Sequence, residues 1–527
     1  MSFNLSALFE RVAGTVPERV AVHTPSRRLT YAELDERANR LAHHLRDAGV
    51  GPGDHMGLQL LNGTEYLEGM LAAFKLRAVP VNVNYRYVAA ELTHLYDDAD
   101  LVALVVHRQF GDLVDEVRPA VTSLRHVVVV EDGSGAGGPA GAVDYEAALA
   151  AAPATADWEG RSGDDLYIAY TGGTTGLPKG VVWRHEDIFF AALGGGDPAL
   201  DKGAITNPDQ LPERVLELPM VQLYAPPLMH VSAHWGVFNG FYGGSTVVLG
   251  SPGVFDPAEI WGLVAGQRAS LVVVVGDAMA VPLLDHLDEH PETDTSSLFV
   301  FSSGGAILSP STKARIAEQL PNVIILDVLG ASETGTAATR VGADTKNFSI
   351  DERTTVLDDD LRPVPPGSGV VGRLARQGHV PLRYHKDEAK SAATFVEREG
   401  HRWVLPGDMA TVAEDGTIEL LGRGSGCINT GGEKVFPEEV EAVLKGHPGV
   451  ADVLVVGVPD ERWGSVVTAV VAIRSDAELD LPALQNHARS ALAGYKLPRR
   501  LCLVDEVQRG PNGKPDYRWA QAIATGS

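Results

Sequence analysis

Short apolar runs that stop at a glycine or a small polar residue recur through the chain, and they constrain its fold more than any other feature. Residues 166–170, 246–249, 271–275, 298–301 and 323–327 are such runs. Each is too short for an ordinary helix, and helical patterns separate them. An earlier series at 55–60, 101–106 and 126–130 repeats the alternation. Residues 30–33 read TYAE, a capping-box pattern, after which Leu34, Ala38, Leu41 and Leu45 fall on one helical face. Alternation of this kind predicts layered α/β sheets. In open α/β sheets, ligand sites gather where the strands end.

The texture changes twice further on. From 354 to 421, short strand patterns alternate with Pro/Gly turns, which predicts a β-rich subdomain. After Gly426 a short helix opens at Pro437, two strand runs follow at 453–458 and 466–473, and a helix is expected over 482–492. These features predict a large multi-subdomain α/β domain over 1–424 and a compact α+β domain over 425–527. Residues 131–142 (EDGSGAGGPAGA) have the composition of a surface loop.

Composition removes several function classes. Lys and Arg number 44 against 69 Asp and Glu, for a net charge of −25. A field of that sign repels phosphate backbones, so nucleic acid is not an expected partner. Cys427 and Cys502 are the two cysteines of the 527 residues, too few for a disulfide scaffold or a zinc ribbon. No targeting segment is visible at the start, and no run approaches the ~18 apolar residues of a membrane span. A cytoplasmic location is expected.

Residues 170–180 read YTGGTTGLPKG and follow a strand pattern. Glycines let backbone N–H groups converge on an anion, threonine hydroxyls add donors, and Lys179 adds a point charge. This combination suits a polyphosphate. It is not a Walker A loop, because Lys179 precedes glycine rather than Ser or Thr. A functionless glycine-rich turn is the plainer alternative. His230 and His234 are spaced i, i+4, but no glutamate follows His230, so a zinc site is not expected and a buried, hydrogen-bonded ring is the better reading of His234.

The loop resembles the phosphate-binding motif of the adenylate-forming superfamily: acyl-CoA synthetases, firefly-type luciferases and peptide-synthetase adenylation domains. The resemblance continues in order along nearly the whole chain. It implies that Thr171, Gly172, Gly173, Thr174, Thr175 and Lys179 hold the phosphates of ATP. It implies that Ser303 to Ala306 (SGGA), through Gly304, Gly305 and Ala306, lines the adenine. In the run GASETG, Gly330, Ala331 and Ser332 approach the nucleotide and Glu333 holds Mg²⁺ by the same resemblance. A carboxylate beside a polyphosphate needs a cation between them. Asp408 and Arg423 match ribose contacts, His230 borders the acyl pocket, and Lys514 matches a catalytic lysine on a mobile C-terminal domain. Ser425 falls at the hinge, and Gly431, Gly432 and Glu433 would line a tunnel for CoA.

The sequence departs from that pattern in places. Gly172 stands where serine is usual, Leu329 where a tyrosine stacks on adenine, and Pro406 where a threonine precedes the ribose aspartate. Ser425 replaces the usual hinge aspartate or lysine, and the glycines on either side leave the hinge permissive without that charge. Two stretches, WRHED at 183–187 and CINTGGEKVFP at 427–437, resemble ligases for bulky polycyclic acids of the steroid or diterpenoid kind. No base is placed near Cys427 by sequence, so an inert thiol is its better reading.

The expected activity is ATP-dependent ligation of a carboxylic acid to CoA through an acyl-adenylate, with release of pyrophosphate. One alternative is an adenylation-only enzyme whose product passes to a separate thioesterifying protein or carrier. An alternative of another class is an inactive nucleotide-binding scaffold, against which the intact Thr174, Glu333, Asp408, Arg423 and Lys514 argue. The acid and the oligomeric state, a homo-oligomer included, stay open.

Overall fold

The computed structural model describes residues 2–171, 178–198, 200–306, 308–398, 400–430, 433–460, 463–475, 477–489, 491–509 and 514–526, without the side chains of Ser425 and Lys434. The expected Gly172, Gly173, Thr174, Thr175, Gly431 and Gly432 therefore lie outside the described residues, as does the side chain of Ser425.

The described residues build four sheets. One has nine strands, with a parallel centre in which Val221–Tyr224 pairs with Thr246–Leu249 and with Leu271–Val274. Val300–Gly304 and Ile324–Ala331 extend it in parallel. The second sheet has eight strands and also a parallel centre, His55–Gln59 beside Val79–Asn82 and Leu101–His107. Parallel strands buried on both faces need apolar residues throughout, which is why these segments read as continuous runs rather than alternations. Leu101–His107 is buried along its whole length.

Helices lie between the two sheets. Tyr31–Asp47 opens on Thr30, whose hydroxyl accepts from the Glu33 backbone N–H while the Glu33 side chain accepts from Thr30 N–H, as the TYAE pattern predicted. Leu34, Ala38, Leu41 and Leu45 are buried, so the predicted face is the packed one. They join one apolar cluster that includes Met56 and Ala169 of the eight-stranded sheet and Tyr224 and Val247 of the nine-stranded sheet. The two sheets are thereby one packed body. Each buried aliphatic or aromatic side chain contributes about 1.5–3 kcal/mol relative to exposure.

The β-rich segment forms a six-stranded antiparallel sheet, Thr354–Leu357 to Ile418–Arg423, interrupted by one short helix, Glu388–Thr394. Beyond Arg423 the chain makes a 3₁₀ turn, Gly424–Gly426, and enters a separate five-stranded sheet. That sheet packs its own apolar cluster with the helices Pro437–Leu444 and Leu481–Ala488. The architecture is mixed α/β in a large N-terminal domain with a smaller C-terminal domain. Among the described residues, no helix is long and apolar enough to cross a membrane.

Boundaries moved in instructive ways. The expected strand at 298–301 starts only at Val300 and runs to Gly304, because Leu298 belongs to the preceding turn. The helix expected over 482–492 ends at Ala488. The GASETG run, expected to follow its strand, is partly inside it: Gly330 and Ala331 close Ile324–Ala331, and Gly335 opens the antiparallel partner Gly335–Val341.

Candidate active site

The phosphate-loop motif is held at both ends. Leu166–Thr171 and Lys179–Arg184 are antiparallel neighbours, with Thr171 opposite Lys179. Asn82 clamps the outgoing strand. Its Oδ1 accepts from Tyr170 N–H at 2.8 Å, and its Nδ2 donates to the carbonyls of Tyr170 and Met229, each at 2.8 Å. One buried amide thus ties the base of the loop to the segment before His230. Tyr170 Oη donates to Asp98 at 2.7 Å and fixes the same strand from its side. Lys179 is the first residue of its strand, and its ammonium lies 2.7 Å from Asp387 Oδ2. Donation from Lys179 is the main cause that keeps Asp387 below the usual carboxylate pKa.

The GASETG run is a tight hairpin turn. Only glycine fits at Gly330, where a Cβ would stand 2.4 Å from Gly335 O, and at Gly335, where φ is +66° and a Cβ would meet Ala191 O at 2.5 Å. Thr334 locks the turn: its Oγ1 accepts from Ala331 N–H at 3.0 Å and its N–H donates to Ala331 O at 3.0 Å. Ser332 and Glu333 sit at the tip, partly open. Trp183 Nε1 donates to Ser332 O at 2.9 Å, and Tyr384 Oη donates to Glu333 Oε1 at 2.8 Å. Gly304 ends the neighbouring parallel strand, with Gly305 and Ala306 just beyond it, so the SGGA and GASETG segments emerge side by side. Leu329 points into the cluster around Phe348 and Ala338.

Asp408 and Arg423 face each other across an antiparallel pair, Arg423 Nε 3.2 Å from Asp408 Oδ1. Burial raises the Asp408 pKa more than Arg423 lowers it, whereas the Asp408 charge raises that of Arg423. Lys514, on the small domain, joins the same cluster. Its residue surface is largely open to solvent, yet protein atoms crowd the ammonium and lower its pKa. Arg423 adds to that lowering, and Glu333 and Asp408 oppose it. His230 takes the N-cap position of the helix Val231–Tyr242 without a side-chain cap bond, and its pKa is lowered to about 3, first by burial and then by Lys514 and Arg86. Its imidazole is neutral, with Nε2 buried and bonded to nothing among the described residues.

The structure therefore brings together Glu333, Asp408, Arg423 and Lys514, with Ser332 beside Glu333 and His230 at a helix N-terminus near Lys514, while Thr171 and Lys179 close a neighbouring strand pair tied to them through Tyr384 and Asp387. Glu433 is exposed on a hairpin opposite Thr430. His234 is fully buried, its Nδ1 2.8 Å from Leu228 O and its Nε2 bonded to Tyr167 Oη, as the reading of a hydrogen-bonded core ring expected. No group of three or more metal-ligating side chains occurs among the described residues. Glu333 still suits a magnesium ion. Mg²⁺ commonly takes one or two carboxylates plus substrate phosphates rather than an all-protein cage. Glu333 Oε2 accepts no hydrogen bond from the described residues.

Sequence reasoning missed Asn82, Tyr384 and Asp387. Each acts through a contact more than fifty residues away in the chain, and none carries a local signal. The WRHED stretch joins packing to the site: Trp183 Nε1 donates to Ser332 O, Arg184 and His379 both bond Asp187, and His185 Nδ1 accepts from Leu5 N–H. A 290 Å³ hollow beside Asp197, Glu213 and Arg214 contains none of the expected site residues. A crevice of only 10 Å³ lies among Phe74, Tyr167, His234 and Trp235, next to the His230 segment.

Comparison with known proteins agrees with this arrangement. Residues 9–381 match the family model described as AMP-binding enzyme, and 439–514 match that of the AMP-binding enzyme C-terminal domain. The chain is 48% identical to the 3-oxocholest-4-en-26-oate–CoA ligase of Rhodococcus rhodochrous, over 99% of this chain and 96% of that one. It is 46% identical, with the same coverage, to the medium/long-chain-fatty-acid–CoA/3-oxocholest-4-en-26-oate–CoA ligase of Mycobacterium marinum. Its fold is that of the anthranilate CoA ligase AuaEII in complex with anthranoyl-AMP: TM-score 0.86 at 23% identity, covering 99% of this chain and 98% of the other. The chain accordingly belongs to the AMP-binding enzyme family, in its acyl-CoA synthetase branch, as an ATP-dependent acid–CoA ligase that works through an acyl-adenylate.

Proposed function

We propose that the acid is a bulky polycyclic one, of the steroid side-chain kind, and that both half-reactions run in this chain with the residues gathered above. The observation that carries the residue roles is the convergence of Lys514 with Glu333, Asp408 and Arg423 across the two domains. The similarity to two ligases named for 3-oxocholest-4-en-26-oate, along 99% of the chain, supports the substrate class.

A carboxylate oxygen attacks the α-phosphorus of ATP, the bond to the β-phosphate bridging oxygen breaks, and pyrophosphate leaves. The CoA thiolate then attacks the acyl carbon, and AMP leaves with the electron pair of the broken C–O bond. Charge builds on phosphoryl oxygens in the first step, so positioned cations dominate the catalysis. Lys514 would hold the oxygens around the α-phosphorus, and Thr171, Thr174, Thr175 and Lys179 the leaving phosphates. Asp408 and Arg423 would hold the ribose. Neutral His230 would wall the acyl side without competing as a cation. Mg²⁺, held by Glu333, would supply charge neutralisation on the phosphates.

The change of reaction would use a rotation at Ser425, dividing the chain into 1–424 and 425–527, with Gly431, Gly432 and Glu433 brought up for CoA. A cytoplasmic location and association into a homo-oligomer belong to the same proposal, in which no separate carrier is needed to complete the thioester. The test is incubation with ATP, Mg²⁺, CoA and acids from decanoate to a 3-oxo-steroid side-chain acid, with AMP esters and CoA esters followed separately by mass spectrometry. Steroid-acid CoA ester formed at the highest kcat/KM is expected. Adenylate without CoA ester would remove the second half-reaction, and preference for short aryl acids would remove the substrate class.

A further inference from the structure

The geometry points to Tyr384 as a positioning residue that orients Glu333, taking up one carboxylate oxygen and presenting the other to the cation that accompanies ATP. This deepens the reading of Glu333 as the cation-holding carboxylate and rests on it.

Three observations converge. First, Tyr384 Oη donates to Glu333 Oε1 at 2.8 Å, and Oε2 accepts nothing from the described residues. A monodentate carboxylate pinned by one hydrogen bond has one oxygen in a fixed direction, which is how outer-shell partners orient metal ligands.

Second, the tyrosine cannot swing. It is 3% exposed, its ring packs on Phe395 with centroids 5.4 Å apart, and the Lys390 ammonium lies 4.5 Å from its centroid. Its backbone N–H is tied to Ser391 Oγ at 2.9 Å. Burial, then the Glu333 charge, raises its pKa, so the phenol stays a donor at physiological pH.

Third, Tyr384 lies on the two-residue strand Arg383–Tyr384, which pairs with Lys179–Arg184. Three residues on, Asp387 holds Lys179. One short segment therefore grips the strand after the phosphate loop and the acidic turn at once. Trp183, on that same strand, holds the backbone of the turn through Ser332 O. Its hydrogen bond fixes where the turn is, and that of Tyr384 fixes where the carboxylate points.

The probe is Mn²⁺, titrated by electron paramagnetic resonance into the full-length enzyme with a non-hydrolysable ATP analogue. Tyr384→Phe deletes only the hydroxyl and is expected to weaken Mn²⁺ binding in the ternary complex about tenfold, the lower end for outer-shell partners. At saturating Mg²⁺ its kcat should stay within about twofold of the parent while the Mg²⁺ requirement rises. Glu333→Ala should weaken Mn²⁺ more, and adding Tyr384→Phe to it should cost nothing further. Trp183→Phe, the second variant should Tyr384→Phe fail to fold, is expected to shift the same curve by a smaller factor. A Mn²⁺ curve unchanged in a folded Tyr384→Phe enzyme, while Glu333→Ala shifts it, overturns the positioning role and leaves the reading of Glu333 intact. An unchanged curve in Glu333→Ala sinks that reading and the proposal with it. Losses that simply add in the double variant overturn action through Glu333. If Tyr384→Phe does not fold, an unshifted curve in Trp183→Phe overturns it.

Discussion

The two sides of the candidate active site are built by different physics. On the large-domain side, the phosphate-loop base, the acidic turn and the His230 segment are stitched by short, buried or half-buried hydrogen bonds from Asn82, Trp183 and Tyr384, on strands packed into two apolar clusters. On the small-domain side, Lys514 arrives with a body that has its own core and meets the large domain through polar contacts. Lys445 Nζ lies 3.0 Å from Asp277, and Arg423 N–H donates to Glu438 at 3.4 Å. Polar interfaces of this kind can part and re-form, because water replaces what is lost. In the proposed mechanism the rigid side keeps substrate geometry, and the separable side exchanges one chemistry for another.

Breaking the separable side at its reactive tip gives the largest effect. Lys514→Ala is expected to slow adenylate formation about a hundredfold or more while ATP binding changes little. Pyrophosphate exchange against nucleotide titration measures both, and exchange at the parental rate would refute the role. Breaking the rigid side comes next. Asn82→Ala leaves the Tyr170 and Met229 carbonyls and Tyr170 N–H without their partner, at about 1–3 kcal/mol. A lower melting temperature should accompany a fall in both half-reactions; a fall confined to thioester formation would contradict the clamp.

A smaller effect should come from the docking pair. Asp277→Ala removes the Lys445 contact and is expected to slow adenylation a few-fold while sparing CoA-ester formation from added acyl-adenylate. Equal slowing of both steps would count against a contact specific to one pose. The smallest change is in pH dependence. Glu441 is buried in the small domain, with Oε1 accepting from Val455 N–H and Oε2 from Tyr517 Oη. Burial, then the Glu438 charge, raises its pKa to about 8 from 4.5. A raised carboxyl pKa stabilises the fold fully below the unfolded value, and that stability drains away as pH rises toward the folded value. Melting temperature should therefore fall between about pH 4.5 and 8, and Glu441→Gln should flatten that slope. Parallel slopes in the two proteins would rule the group out as the cause.

Much of this molecule was legible in one dimension because its signals are local. The strand at Thr246–Leu249 and the cap at Thr30 follow from neighbours along the chain, as does the run from Gly330 to Gly335, whose glycines are forced by a turn that only they can make. The family could be read from motif order for the same reason. The length of Ile324–Ala331 was not legible, since its last residues pair with a strand that returns only after the turn.

Sequence by itself determined the layered α/β class, because periodicity and turn chemistry are written in adjacent residues, and the order of its motifs was enough for a resemblance to a known family to imply the kind of reaction. Tertiary structure alone decided which partners hold those segments: Asn82 on Tyr170 and Met229, Asp387 on Lys179, Tyr384 on Glu333. A hydrogen bond between residues dozens or hundreds of positions apart leaves no pattern along the chain. It exists only once packing has brought donor and acceptor within 3 Å.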